Sequence, residues 1–337
     1  MGRRTLAWLN PSQLAFVRDV AAAADLQLVG AGCPVRAQSG AVASELDVPC
    51  IDDLRDALHS FEADLAFLAA AGSFGTSPDD AKAALAFGAR RGVVATMEPI
   101  PASALDLASG GWAASRALDF VHHCPLARLS APFRAAHEVL AAFGRVRTLT
   151  VEAWCSPREG SLGARLFSAI ELILHVMGEP ETVDAAFVPP DIDRPVRPLP
   201  GDTLRDLHGD ITASLRFSDG RAANLVASDH AGRWNRTATL LGPGGRLRVF
   251  DDGFEWIGQD GKKADESRPA GARRGVEGVH AVAALKESLE RILDPGPTPE
   301  PPADHAGVLA IGQAILLSAR TGQPESPATI RRMTGLG

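Results

Sequence analysis

The sequence predicts an α/β chain in two parts: a doubly wound parallel sheet first, then an α+β part whose sheet is mainly antiparallel. Three observations carry that expectation. Over the first hundred residues, short apolar runs alternate with helical patterns of roughly 10–15 residues, the signature of parallel strands joined by right-handed crossovers. From residue 146 onward, period-two alternation and turn dipeptides take over. The 337 residues exceed what one small core usually holds, so two domains are expected, 1–120 and 121–337.

In order, TLAWL (5–9) reads as a strand and Pro11 to about Ala24 as a helix. LQLVGAG (26–32) is a strand, 35–46 a helix, 49–51 a short strand and 52–61 a helix. ADLAFLAAAG (63–72) is a strand, 78–92 a helix and VVATM (93–97) a strand. Near-continuous apolar strands of this kind suit a sheet covered on both faces. Beyond them, 134–144 is a helix ended by Gly144, 146–154 a half-buried strand, and 161–178 a long helix closed by Gly178. Two strands, 210–217 and 222–228, flank Asp219-Gly220 and read as a hairpin. A meander follows over 237–242, 246–250 and 254–258, then helices over 280–293 and 303–321. Segments 191–202 and 261–275 read as exposed loops.

The net charge of −7 argues against nucleic acid or an anionic membrane as partner, and no apolar run is long enough to span a bilayer. Arg3-Arg4 precedes a short apolar run, which reads as the first strand rather than an export signal because Asn10-Pro11 ends it and no small-residue cleavage site follows. Four scattered cysteines without a C-x-x-C pair predict neither a disulfide framework nor a zinc site, and fit a cytoplasmic setting. Only four residues are lysine (82, 262, 263 and 286), and tyrosine is absent.

A parallel sheet at the start raises the question of a dinucleotide. Its first turn should carry G-x-G-x-x-G, because bare backbone must approach the pyrophosphate. Here the turn is Asn10-Pro11-Ser12-Gln13-Leu14-Ala15, without glycine. The positions equivalent to the glycines are Asn10, Ser12 and Ala15. Asn10 is expected to cap the helix and Pro11 to occupy its first position. The second strand ends VGAGCP, with no acid for a ribose.

Taken in order, ASELDVPCIDDLRDAL (43–58), ADLAFLAAAG, VVATMEP, APFRAAHEVLAAFGRVRTLTVEA (131–153), the Gly178-Glu179-Pro180 helix end, LRFSDGRAANL (215–225) and LLSARTGQP (316–324) resemble the glucose–fructose oxidoreductase/inositol dehydrogenase family (Gfo/Idh/MocA) over nearly the whole chain. The resemblance implies a Rossmann-like first domain, NAD or NADP as cofactor with no metal, a ligand in the inter-domain cleft, and a homo-oligomer formed through the open face of the second sheet. It also implies a Glu-Lys-Pro turn and an Asp-x-x-x-His pair for hydride transfer to or from a sugar, polyol or related alcohol. Aligned on Pro99, the lysine position holds Glu98, and aligned on Glu98 it holds Pro99; the second motif falls on Ala164 and Ser168, so lysine, aspartate and histidine are all missing.

Three readings follow. The chain is catalytically degenerate and kept for binding, regulation or scaffolding. Or it is an active NAD(P)-dependent dehydrogenase with a rebuilt site, His122 or His123 serving as acid/base beside Glu98. Or it is a non-redox enzyme working from Glu98 and a cleft histidine. Arg165 is a candidate for an anionic ligand, Lys82 reads as a solvated residue, and Glu171 with His175 as a surface or interface pair. Adjacent histidines on a strand face opposite ways, so His122-His123 makes a poor metal site. Trp154, Trp234 and Trp256 read as core or interface residues; His280 and His305 head predicted helices and take no role.

Overall fold

A computed structural model of the chain describes residues 2–191, 199–267, 279–296 and 301–336. The first sheet has six strands, all parallel: β1 (Arg3–Trp8), β2 (Leu26–Gly32), β3 (Cys50–Ile51), β4 (Leu65–Leu68), β5 (Val93–Thr96) and β6 (Val121–His123). Their spatial order, β3-β2-β1-β4-β5-β6, reverses direction between β1 and β4. In such a sheet a crevice opens at the carboxyl ends of those strands. β4 is buried along its whole length, as its unbroken apolar run requires. Helices α1 (Leu14–Ala23), α2 (Arg36–Glu45), α3 (Leu54–Ser60), α4 (Pro78–Ala89) and α5 (Ala104–Ser109) connect or follow these strands. Asn10 precedes the first turn in extended geometry (φ −79°), and Pro11 opens a short 3₁₀ turn that leads into α1.

Next come α6 (Ala131–Phe143), β7 (Thr148–Trp154), α7 (Leu162–Met177) and β8 (Thr182–Val188). β9 (Asp210–Arg216), β10 (Ala222–Ser228), β11 (Asn235–Gly242), β12 (Gly245–Phe250), β13 (Gly253–Ile257) and β14 (Lys263–Ser267) complete an eight-stranded sheet. The sheet is mainly antiparallel, as expected, with one parallel pairing. β10 lies parallel to β7, because the chain passes through α7, β8 and β9 before it returns beside β7. Along β7, Leu149, Val151 and Ala153 are buried under helices, while Thr150 is exposed on the other face.

The expected loop at 261–275 is corrected in part, since Lys263–Ser267 pairs with β13 as a fully exposed edge strand. Residues 268–275 of that segment, and most of the expected 191–202 loop, lie outside the described residues. Three late helices close the fold: α8 (Val279–Leu293), α9 (His305–Thr321) and α10 (Pro327–Thr334). α9 packs on α7 and β8, whereas α8 returns to the first sheet. There Ala281, Ala284, Leu285 and Leu289 join a core with Leu9, Phe16, Val17 and Phe67. No helix among the described residues is long and apolar enough to cross a membrane.

Candidate functional site

A cleft of about 300 Å³ lies at the carboxyl ends of β1, β2, β4 and β5, roofed by residues of the second part. Asn10, Gln13, Glu98, Ser161, Arg205 and His208 supply its polar lining, and Pro34, Val35, Ala69 and Pro99 much of its apolar wall.

Glu98 follows β5 on a turn held by Thr96, whose hydroxyl accepts from the Glu98 N–H at 3.1 Å and donates to its carbonyl at 2.7 Å. Its carboxyl group reaches the second part of the chain. It accepts from the Ser161 hydroxyl at 2.5 Å and the Ser161 N–H at 3.2 Å. Ser161 is also the N-cap of α7, its hydroxyl accepting from Ala164 N–H at 3.1 Å. Glu98 therefore clasps the two parts together. Burial pushes its carboxyl above the usual range, although the bonds from Ser161 pull the other way.

The turn after β1 is closed by a side chain. Gln13 is buried, accepts from Asn10 N–H at 3.0 Å and donates to Ala69 O at 3.0 Å, tying the end of β1 to the end of β4. Ser12 and Ala15 are exposed, and only Asn10 of the three glycine-equivalent positions lines the cleft. The loops after β2 and β4 already touch: a Cβ on Gly72 would meet Pro34 Cβ at 2.5 Å. Arg205 donates to the carbonyls of Gly72 and Phe74 in the same β4 loop. These residues do not fit a pyrophosphate, which needs open N–H groups and bare backbone where a buried glutamine and the Arg205 bridge stand.

Sequence reasoning missed the other half of the cleft. His208 and Asp229 flank the ends of β9 and β10, whose register pairs Asp210 with Ser228. His208 Nδ1 lies 2.6 Å from Asp229 Oδ2. Asp229 is fully buried; it accepts from Gly209 N–H at 2.9 Å, and its Oδ1 lies 2.6 Å from His230 Nδ1. Burial pushes the Asp229 carboxyl up, but the bonds from His208, Gly209 and His230 outweigh it and hold the group low. The same bond raises the His208 imidazole, against the opposing effect of burial. The loop carrying His208 is tied to α7 by Leu162 N–H, which donates to Leu207 O at 3.1 Å, and to the segment just before α5 by Leu204 N–H, which donates to Ala102 O at 2.9 Å. Gly163 permits that closeness, since a Cβ there would lie 1.9 Å from Leu204 O.

His122 and His123 line a different cavity, of about 220 Å³, with Arg128, Arg291 and His305. His123 is buried against Phe167, ring centroids 4.3 Å apart, and burial pushes it down to about 3. Arg165 is 1 % exposed and stacks on Trp234 at 4.0 Å; burial lowers its pKa. The surface or interface expectation is corrected for Glu171, which is buried and paired with Arg128 at 2.5 Å, whereas His175 one turn on is exposed. Lys82 is solvated beside Asp79. Ala164 and Ser168 are buried on α7, with the Ser168 hydroxyl donating to Pro125 O at 3.2 Å. Trp234 and Trp256 anchor the sheet through Asp251 and the Gly244 carbonyl. No group of three or more metal-ligating side chains placed to hold an ion occurs among the described residues.

No family model and no curated protein matches the chain. Solved structures do. The myo-inositol 2-dehydrogenase of Lactobacillus plantarum superposes with a TM-score of 0.65 at 16% identity, over 97% of this chain and 99% of that one. An oxidoreductase from Agrobacterium radiobacter, in complex with NAD+, L-tartaric acid and magnesium, gives 0.66 at 15% identity over 98% and 100%. An oxidoreductase from Pseudomonas syringae gives 0.69 at 14% identity over 97% and 99%. This chain has the inositol dehydrogenase fold. At such identities the likeness is one of architecture, and function must be argued from the cleft. Within the inositol dehydrogenase fold, this cleft presents Glu98 where the resemblance implies a lysine beside it, and a His208–Asp229 pair on a loop of the second part.

Proposed function

We propose that this chain keeps the oxidoreductase fold but has given up nicotinamide-dependent hydride transfer, and that it binds a small molecule in the inter-domain cleft. The observation that carries this reading is the clasp of Glu98 on Ser161. A carboxyl group facing the cleft at the end of β5 is used to hold the two parts together, and no lysine stands beside it. The closed turn at Gln13 and the Arg205 bridge to the β4 loop support the same reading. Free, scattered cysteines are consistent with a reducing cytoplasm.

Calorimetry with NADH and NADPH, paired with thermal shift, tests it. The expected result is neither heat nor shift at millimolar nucleotide. Micromolar binding would restore the dehydrogenase reading.

The pair His208–Asp229 favours a second reading, a non-redox enzyme. A histidine held by a buried carboxylate is equipped to accept and return protons. It lines the same cleft as Glu98, whereas His122 and His123 do not.

A further inference from the structure

The cavity of about 220 Å³ at the edge strand β6 shares no lining residue with the cleft. Its walls come from β6, the end of α8 and the start of α9. Among the described residues no acidic side chain lines it, whereas Arg128, Arg291, His122, His123 and His305 do. Arg128 is already committed, to Glu171 at 2.5 Å and to the carbonyl of Pro301 at 2.6 Å, and so holds the wall in place. Arg291 stands half-buried in the last turn of α8, with no hydrogen bond or ion pair to a described residue.

The three imidazoles are uncharged at neutral pH, because burial lowers His122 and pushes His123 down to about 3 and His305 to about 4. A neutral imidazole offers one N–H and one bare nitrogen. In His305 the assignment follows from its neighbour. Its Nδ1 lies 3.0 Å from the carbonyl of Ala303, which can only accept, so Nδ1 carries the proton and Nε2 is left as an acceptor. His123 is 2 % exposed and makes no hydrogen bond through either ring nitrogen. Polar atoms shut away without partners are costly. Here they border a cavity that has room for the partner.

We propose that this cavity binds a small phosphate, an anion that brings a hydroxyl donor as well as acceptor oxygens. Arg291 supplies the opposite charge, His122 and His123 donate N–H to phosphate oxygens, and His305 Nε2 accepts from a hydroxyl. The last contact separates phosphate from other oxyanions. Hydrogen phosphate keeps an O–H at neutral pH, whereas sulfate has none and would set a lone pair against Nε2. Leu126, Leu129, Ile292 and Pro302 form an apolar part of the wall, where the organic part of a phosphate ester can lie. The ester's own hydroxyl then serves His305. The site is separate from the cleft and does not depend on what the cleft binds.

The test is calorimetry on the full chain at neutral pH, with inorganic phosphate and sulfate titrated at matched ionic strength. Phosphate is expected to bind at least about tenfold more tightly than sulfate. Glycerol 3-phosphate, titrated alongside, separates the two sources of a phosphate group. Tighter binding than inorganic phosphate assigns the site to an ester, and weaker binding assigns it to the free ion. Arg291→Gln, at a half-buried position, is expected to weaken phosphate at least about tenfold. His305→Asn keeps a donor near the Ala303 carbonyl but puts no acceptor in place of Nε2, and is expected to bring phosphate down to the affinity of sulfate. The ring resonances of His122 and His123 are expected to shift with phosphate and not with sulfate at the same concentration. If His305→Asn does not fold, Arg291→Gln and the comparison of the two anions still decide the matter. No phosphate binding at millimolar concentration, equal affinity for sulfate, or an unchanged affinity in Arg291→Gln would each overturn the inference.

Discussion

Glu98 shows how one side chain can be diverted by its neighbours. Its acid is raised by burial even after the two bonds from Ser161 are counted, so its surroundings as a whole disfavour the charged form. A raised folded-state value contributes stability in full below the unfolded value, and that stability is lost as pH rises through the folded value. At neutral pH the ionised group is therefore a cost. Glu98→Gln, which mimics the neutral acid, is expected to raise the melting temperature at about pH 7 and to do so less at about pH 4. Glu98→Ala removes both bonds to Ser161 and is expected to cost about 1–3 kcal/mol at either pH. A larger gain for Glu98→Gln in acid than at neutral pH would contradict the assignment. His208 was legible in principle. A hairpin running 210–217 and 222–228 must bring the residues just before and just after it together, which pairs His208 with Asp229. The signal lies at the strand ends, where loops carry function.

At the scale of elements, the cleft depends on how the 203–208 loop sits on α7. Gly163 lets the Leu204 carbonyl approach the helix, and no side chain fits between them. Gly163→Ala would normally favour a helix by about 1 kcal/mol. Here the backbone clash is expected to reverse the sign and destabilise by about 1–3 kcal/mol, as overpacking does. Thermal denaturation reads that cost, and faster hydrogen exchange over 203–208 reads the displaced loop. An unchanged or raised melting temperature would mean the approach is looser than described. Other elements resisted reading for plain physical reasons. β14 has no apolar residue facing a core, only the sequence KADES on an exposed sheet edge, where charge guards against stray pairing. The parallel pairing of β7 with β10 depends on where the chain returns, not on any local pattern.

For the whole molecule, the eight-stranded sheet is covered on one face only among the described residues. The centre of its other face presents Thr150, Asn224 and Ser214, all exposed. We expect this broad polar face to seat a second copy of the chain through hydrogen bonds. Light scattering should then give a mass above the 35.3 kDa of one chain, and a strictly monomeric mass across the micromolar range would reject it. The return of α8 to the first sheet shows that the two parts are not consecutive beads. Leu285 and Leu289 complete a core that Leu9 and Phe67 begin.

The sequence by itself determined the alternation of strands and helices in the first part, the hairpin and meander of the second, and the absence of glycine from the β1 turn. These are local properties, carried by periodicity and by what one side chain permits its own backbone. Only the tertiary structure decided that Gln13 closes that turn on Ala69, that Glu98 reaches Ser161, that Glu171 is buried on Arg128, and that His208 rather than His122 or His123 shares the cleft with Glu98. Each of those facts joins residues far apart in the chain. Sequence spacing says nothing of such distances until packing has chosen which strand ends and helix ends meet.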